Sequence, residues 1–171
     1  MFRDGLLAGK RILVTGGGSG LGREIAAKYL ALGAELHLCG RREPVLRETA
    51  AALMAEHGGI VRTYAVDIRH ADAVDAMVGR IWAESGPLDG LVNNAAGNFV
   101  SRTQDVSPRG FDAVAGIVLH GTYYATHHVG RRWIAEGTTN GAPVRTQVTT
   151  IEITEPLRPS AIQRRPTWCV A

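Results

Sequence analysis

The sequence predicts an α/β fold, a parallel sheet wound on both faces by helices. Two observations carry that reading. Short apolar runs (12–14, 36–39, 88–92) alternate with longer stretches whose apolar residues recur at helical spacing. The first run passes into Thr15-Gly16-Gly17-Gly18-Ser19-Gly20-Leu21-Gly22 and then into residues 23–30, which are good helix formers. Strand, glycine-dense turn and helix, in that order, turn backbone N–H groups and the positive end of a helix dipole toward a phosphate. Glycine is needed because a Cβ would hold a pyrophosphate off the backbone or forbid a positive φ. The sequence therefore begins with the first unit of a Rossmann-like, doubly wound sheet. Thr15, Gly16, Gly18, Ser19, Gly20, Leu21 and Gly22 are the candidate dinucleotide-binding residues of the turn, against the plainer reading of a surface loop.

The following elements extend the alternation. Gly33 is placed to end the first helix, and residues 34–39 read as a second strand. Beyond it stand Gly40-Arg41-Arg42, where a Rossmann half meets the adenosine ribose. An acid there would bind a 2′-hydroxyl and repel a 2′-phosphate. Gly40 leaves space, and Arg41 and Arg42 offer guanidinium groups, so the cofactor expected is NADP(H) rather than NAD(H). Two solvated arginines opening a helix are the alternative. Residues 43–57 predict a helix with Pro44 early and Gly58-Gly59 beyond its end. Residues 60–66 predict the third strand, ended by Asp67-Ile68. Ala73, Val74, Met77, Val78 and Ile81 predict another helix, closed by Gly86-Pro87, and residues 88–92 the fourth strand.

That strand runs into Asn93-Asn94-Ala95-Ala96-Gly97-Asn98-Phe99. Asparagine side chains tie strand ends together, and small residues let a ligand lie on the backbone. The octet has the form T-G-x-x-x-G-x-G, and with this second motif the chain resembles the short-chain dehydrogenase/reductase family over about residues 8–136. The NNAAGNF stretch is closest to the 2,4-dienoyl-CoA and trans-2-enoyl-CoA reductase branch. The resemblance implies NADP(H)-dependent hydride transfer to C=C or C=O, with a small-molecule substrate of acyl-CoA type. It implies that Asp67 and Ile68 lie by the adenine, the alternative for Asp67 being a cap on the next helix. It places Asn93, Ala95, Ala96 and Gly97 against the cofactor.

Ser107-Pro108 predicts the start of one long helix to about residue 136, with Phe111, Ala115, Val118, Ala125, Val129 and Trp133 on one stripe. In the family its outer face often meets a second subunit, so a homo-oligomer through helix 107–136 is expected. Its middle normally presents an asparagine in a segment like L-N-G-T. Here the residues are Leu119-His120-Gly121-Thr122, making His120 the candidate proton relay, with a buried structural histidine as the alternative.

From residue 137 the pattern changes, and four of the seven prolines lie in 137–171. Residues 148–154 offer the only strand-like run of that tail, which is expected to be weakly structured. The chain thus divides into an NADP-binding domain, 1–136, and an atypical tail, 137–171. No lysine follows Lys28, so the family's Y-x-x-x-K pair is absent from these 171 residues. Three explanations compete, in this order: a truncated or frameshifted relative, a nucleotide-binding pseudoenzyme, or an enzyme using another acid such as His120.

Composition excludes other classes. Apolar residues make up 45% of the chain and charged residues 20%, with no run of 18 apolar residues for a membrane span. Residues 1–10 do not read as a signal peptide, and Cys39 and Cys169 make neither a disulfide scaffold nor a metal cluster. The net charge is only +3, without a dense basic stripe, so neither nucleic acid nor membrane is an expected partner. A cytoplasmic protein is expected.

Overall fold

The computed structural model describes residues 2–98, 101–140 and 147–150. Its strands are β1 (Arg11–Thr15), β2 (Glu35–Gly40), β3 (Val61–Ala65), β4 (Gly90–Asn93) and β5 (Gln147–Thr150). Helices α1 (Gly20–Ala31), α2 (Glu43–His57) and α3 (Ala71–Ser85) fill the crossovers between the first four. All pairings are parallel and the spatial order is β3-β2-β1-β4-β5. The predicted doubly wound sheet is therefore present. β5 covers the first part of the strand-like run read at 148–154; residues 151–154 and the prolines of the tail lie outside the described residues.

Successive strand residues feed opposite faces, as the pleat requires. Ile12, Val14, Leu36, Leu38 and Val92 pack with Ala26 and Leu30 of α1 and Leu46, Ala50 and Leu53 of α2. Leu13, Cys39, Tyr64 and Leu91 pack on the other face with Val74, Val78 and Ile81 of α3. β1, buried on both sides, accordingly reads as a continuous apolar run, whereas edge strand β3 is half exposed and does not.

The single helix expected over 107–136 is three pieces. Ser107 caps α4 (Pro108–Ala115), its hydroxyl accepting from the Gly110 amide at 3.1 Å. A π-helical segment, Gly116–Gly121, follows, and then α5 (Thr122–Asn140). Wider π turns rotate what precedes them away from the stripe that continues beyond. Ala125, Val129 and Trp133 are buried accordingly, whereas Phe111, at the other end of the expected stripe, is 65% exposed. α5 is fastened by Trp133 Nε1 donating to the Leu88 carbonyl at 2.5 Å and by Arg132 Nη1 reaching Asp75 Oδ1 of α3 at 2.7 Å.

One buried group makes this fold acid-sensitive. His37 on β2 is fully buried, its Nδ1 3.1 Å from Tyr64 Oη and its Nε2 3.7 Å from Glu35 Oε1, beyond hydrogen-bond reach. Burial pushes its pKa from 6.5 to about 4; Glu35 and Glu84 oppose the shift, and Arg62 and Arg11 add to it. The unfolded chain therefore binds the extra proton first as pH falls. The stabilisation is complete above pH 6.5 and is lost as pH drops toward 4, by about 3 kcal/mol at full extent. Urea unfolding at neutral and mildly acid pH checks this. His37→Gln should flatten the pH dependence relative to the parent, and an unchanged slope would overturn the assignment.

Candidate active site

The strand order reverses between β1 and β4, and in open α/β sheets ligands bind beyond the carboxyl ends of strands at such a point. A cleft of about 320 Å³ lies there, within the range of small-molecule sites. Its lining takes in Gly16, Gly18, Ser19, Leu21 and Gly22 of the glycine turn and Gly40, Arg41 and Arg42 beyond β2. Val45 and Leu46 of α2, Val66, Asp67 and Ile68 beyond β3, Asn94, Ala95 and Ala96 beyond β4, and Ile117 of the π segment also line it.

Thr15 is the hub beneath the turn. Its buried hydroxyl donates to the Val92 carbonyl at 3.3 Å and accepts the amides of Asn94 and Ala95, each at 3.0 Å. One donor and two acceptor sites are thereby all used. Asn94 returns the connection, its Nδ2 donating to the carbonyls of Thr15 at 3.0 Å and Gly16 at 3.3 Å. Thr49 of α2 donates to the Gly18 carbonyl at 2.8 Å, tying the turn to a second helix. Gly16 and Gly20 have φ of +68° and +53°, the left-handed region that favours glycine.

These residues suit a phosphate. Ser19 enters α1 in extended conformation without a side-chain cap, and no acid stands in the first turn of the helix. Backbone N–H groups there remain open to an anion. Arg41 and Arg42 are exposed on the neighbouring rim, and Arg42 Nη2 donates to Ser19 Oγ at 3.2 Å. Among the described residues, Asp67 is the one carboxylate in the lining. Its Oδ2 accepts from Arg69 Nη2 at 2.6 Å, and the hydrogen bonds from Arg69 hold its carboxyl below the usual carboxylate range. Asp67 Oδ1 also accepts the Arg69 amide at 3.1 Å, closing the turn that leads into α3 without capping the helix itself, whose N-cap is His70.

Not every candidate lies in the cleft wall. Asn93 is buried and turned inward, its Nδ2 donating to Thr126 Oγ1 at 3.0 Å, so Asn94 takes the place in the wall expected of it. Gly20 opens α1 beside the wall, and Gly97 lies behind Ile117, whose Cδ1 would stand 2.7 Å from an added Cβ. His120 is exposed on the π segment, its ring 6.2 Å from that of Tyr124 and outside the lining. Its exposure removes the alternative of a buried structural histidine. Phe99 lies outside the described residues. Among the described residues, no cluster of side chains could hold a metal ion.

The family model described as short chain dehydrogenase matches residues 10–149. The chain belongs to the short-chain dehydrogenase family. Members use a nicotinamide dinucleotide, which the turn and the uncapped helix fit. A probable 2,4-dienoyl-CoA reductase 3 of Caenorhabditis elegans is 41% identical over 139 residues, 81% of this chain and 45% of the relative. The solved citronellol catabolism dehydrogenase of Pseudomonas aeruginosa PAO1 superposes with a TM-score of 0.73 at 41% identity. That match covers 77% of this chain and 54% of the dehydrogenase. An alcohol dehydrogenase of Thermococcus sibiricus, solved with 5-hydroxy-NADP, gives a TM-score of 0.70 at 25% identity, covering 75% and 55% of the two chains. The chain thus spans about half the length of the relatives it matches.

Proposed function

We propose that this short-chain dehydrogenase domain binds NADP(H) in preference to NAD(H), and that its reaction class is reduction of a conjugated enoyl or dienoyl thioester. The observation carrying the cofactor reading is the pair Arg41-Arg42 on the cleft rim, with Asp67, the one lining carboxylate among the described residues, already paired to Arg69. The relative complexed with 5-hydroxy-NADP and the dienoyl-CoA reductase support the two halves of the reading. When bound, the nicotinamide carries the hydride. The chain's own part is to seat the pyrophosphate on α1 and the turn, and to hold the adenosine end between the β2 and β3 loops.

Within these 171 residues the second reading, a nucleotide-binding unit without turnover, is favoured for the chemical step, because no tyrosine–lysine pair of the family's form is present. Association through the 107–136 region belongs to the same proposal, supported by exposed Phe111, Leu119 and Tyr123. No helix among the described residues is long and apolar enough to cross a membrane, and the cytoplasmic setting is part of the proposal.

Titration with both cofactors tests the preference. A charge-assisted hydrogen bond contributes roughly 1.5–3 kcal/mol, so NADPH should bind about tenfold or more tighter than NADH. Arg41→Ala should remove most of that ratio. Equal affinities in the parent protein would overturn the claim.

A further inference from the structure

We infer that Arg69 sets the electrostatic character of the cleft by neutralising Asp67, and so acts as a specificity-determining positioning residue that never touches the ligand itself. The inference rests on reading the cleft as a dinucleotide site. Its observation is the engagement of both Asp67 carboxylate oxygens by Arg69. Oδ1 accepts the Arg69 amide at 3.1 Å and Nε at 3.0 Å, while Oδ2 accepts Nε at 3.0 Å and Nη2 at 2.6 Å. Three N–H donors of this one residue, its amide, Nε–H and Nη2–H, thus bind both carboxylate oxygens, the Nε–H being shared between them.

Arg69 is exposed and outside the cleft lining, and its stem runs past the π segment. Its Cδ would stand 3.7 Å from a Cβ added at Gly116, an ordinary contact distance. Arg69 thus binds Asp67 without being a lining residue itself, while Asp67 is part of the wall. The Asp67 carboxyl sits below its ordinary range first through the Arg69 hydrogen bonds, with a smaller contribution from Arg41.

Without Arg69, an unscreened negative charge would face a ligand carrying a pyrophosphate, and more strongly one carrying a further 2′-phosphate. Unit charges about 10 Å apart in a largely aqueous cleft change an equilibrium about two- to threefold per charge. Losing Arg69 should therefore weaken NADH, with its two pyrophosphate charges, about fivefold, and NADPH, with at least one charge more, about tenfold or more at low ionic strength. The difference should shrink at high salt, because an open cleft is screened.

Calorimetric titration of the full 171-residue chain with NADPH and NADH, at low and high salt, tests this in the parent, Arg69→Gln, Arg69→Lys and the Asp67→Asn/Arg69→Gln double variant. The expected result is a salt-sensitive fall in the NADPH:NADH affinity ratio for Arg69→Gln. Arg69→Lys should keep the ratio, and the double variant should recover it. Unchanged affinities, an equal and salt-insensitive loss for both cofactors, or no recovery in the double variant would overturn the assignment. The parent titration reads the cofactor proposal separately: a parent that binds neither dinucleotide removes that reading and this one with it. A parent without preference removes only the NADP reading, since the variant-to-parent ratios still report on Arg69.

Discussion

Gly22→Ala is expected to abolish dinucleotide binding and to lower the stability of the fold. Gly22 is buried in the first turn of α1, behind the glycine turn. A Cβ there would run into the Gly16 carbonyl and stand 2.5 Å from Asn94 Nδ2. Neither neighbour can retreat cheaply. Asn94 is fixed by its two carbonyl bonds, and a Cβ added at Gly16 would itself stand 2.9 Å from Ala95 Cα, so that turn already lies against the β4 loop. The methyl group must push α1 away from the turn, which separates the N–H groups that should converge on the pyrophosphate. Overpacking of this kind costs about 1–3 kcal/mol in stability, and an affinity loss beyond about a hundredfold is expected. Gly20→Val supplies the complementary test. No protein atom lies within 4 Å of its added Cβ, so the fold bears mainly the strain of a branched residue at φ +53°. The new side chain would stand at the mouth of α1, where the phosphate is proposed, and binding should again be lost. Calorimetry with NADPH, beside circular dichroism to establish folding, decides both. Full affinity in either folded variant would show that the turn is not the phosphate site.

Much of this site was legible because its chemistry is local. The turn from Thr15 to Gly22 carries its own geometry in eight adjacent residues, and Gly33, Gly58 and Gly86 do follow the helices they were expected to end. What escaped the sequence depends on contacts across the fold. Asn93 and Asn94 are identical in type, and only the strand's pleat sends the first inward to Thr126 and the second toward Gly16. Thr49 falls at helical spacing among apolar residues, where nothing adjacent reveals that its hydroxyl holds Gly18. The π segment is similarly silent. Its glycines are the one local hint: a Cβ at Gly121 would stand 2.5 Å from Ile68 Cδ1, so close packing on the β3 loop requires a residue without one. Ile117 lines the cleft, a place outside the apolar stripe read from the sequence.

The 171-residue chain is expected to reduce enoyl-CoA, dienoyl-CoA and ketone substrates at less than about 1 s⁻¹, the low end of ordinary enzymes. Hydride addition leaves negative charge on an oxygen, and the family meets it with a tyrosine whose pKa a lysine lowers. Neither lysine here can play that part: Lys10 pairs with Asp89 at 2.8 Å before β1, and Lys28 lies in the last turn of α1. The tyrosines do no better. Tyr64 is buried against His37 with its pKa raised by burial, Tyr123 is 59% exposed, and none of the four lines the cleft. His120 occupies the family's asparagine position but stands exposed outside the wall, where bulk water competes for any proton it offers. General acid catalysis contributes typically 10²–10⁴-fold, roughly 3–5 kcal/mol, so turnover by these 171 residues should be lower by about that factor. NADPH oxidation followed spectrophotometrically over the substrate panel, on protein shown by calorimetry to bind NADPH, is the decisive measurement. Turnover at or above that limit would overturn the expectation, and its disappearance in His120→Ala would then identify His120 as the proton donor despite its exposure.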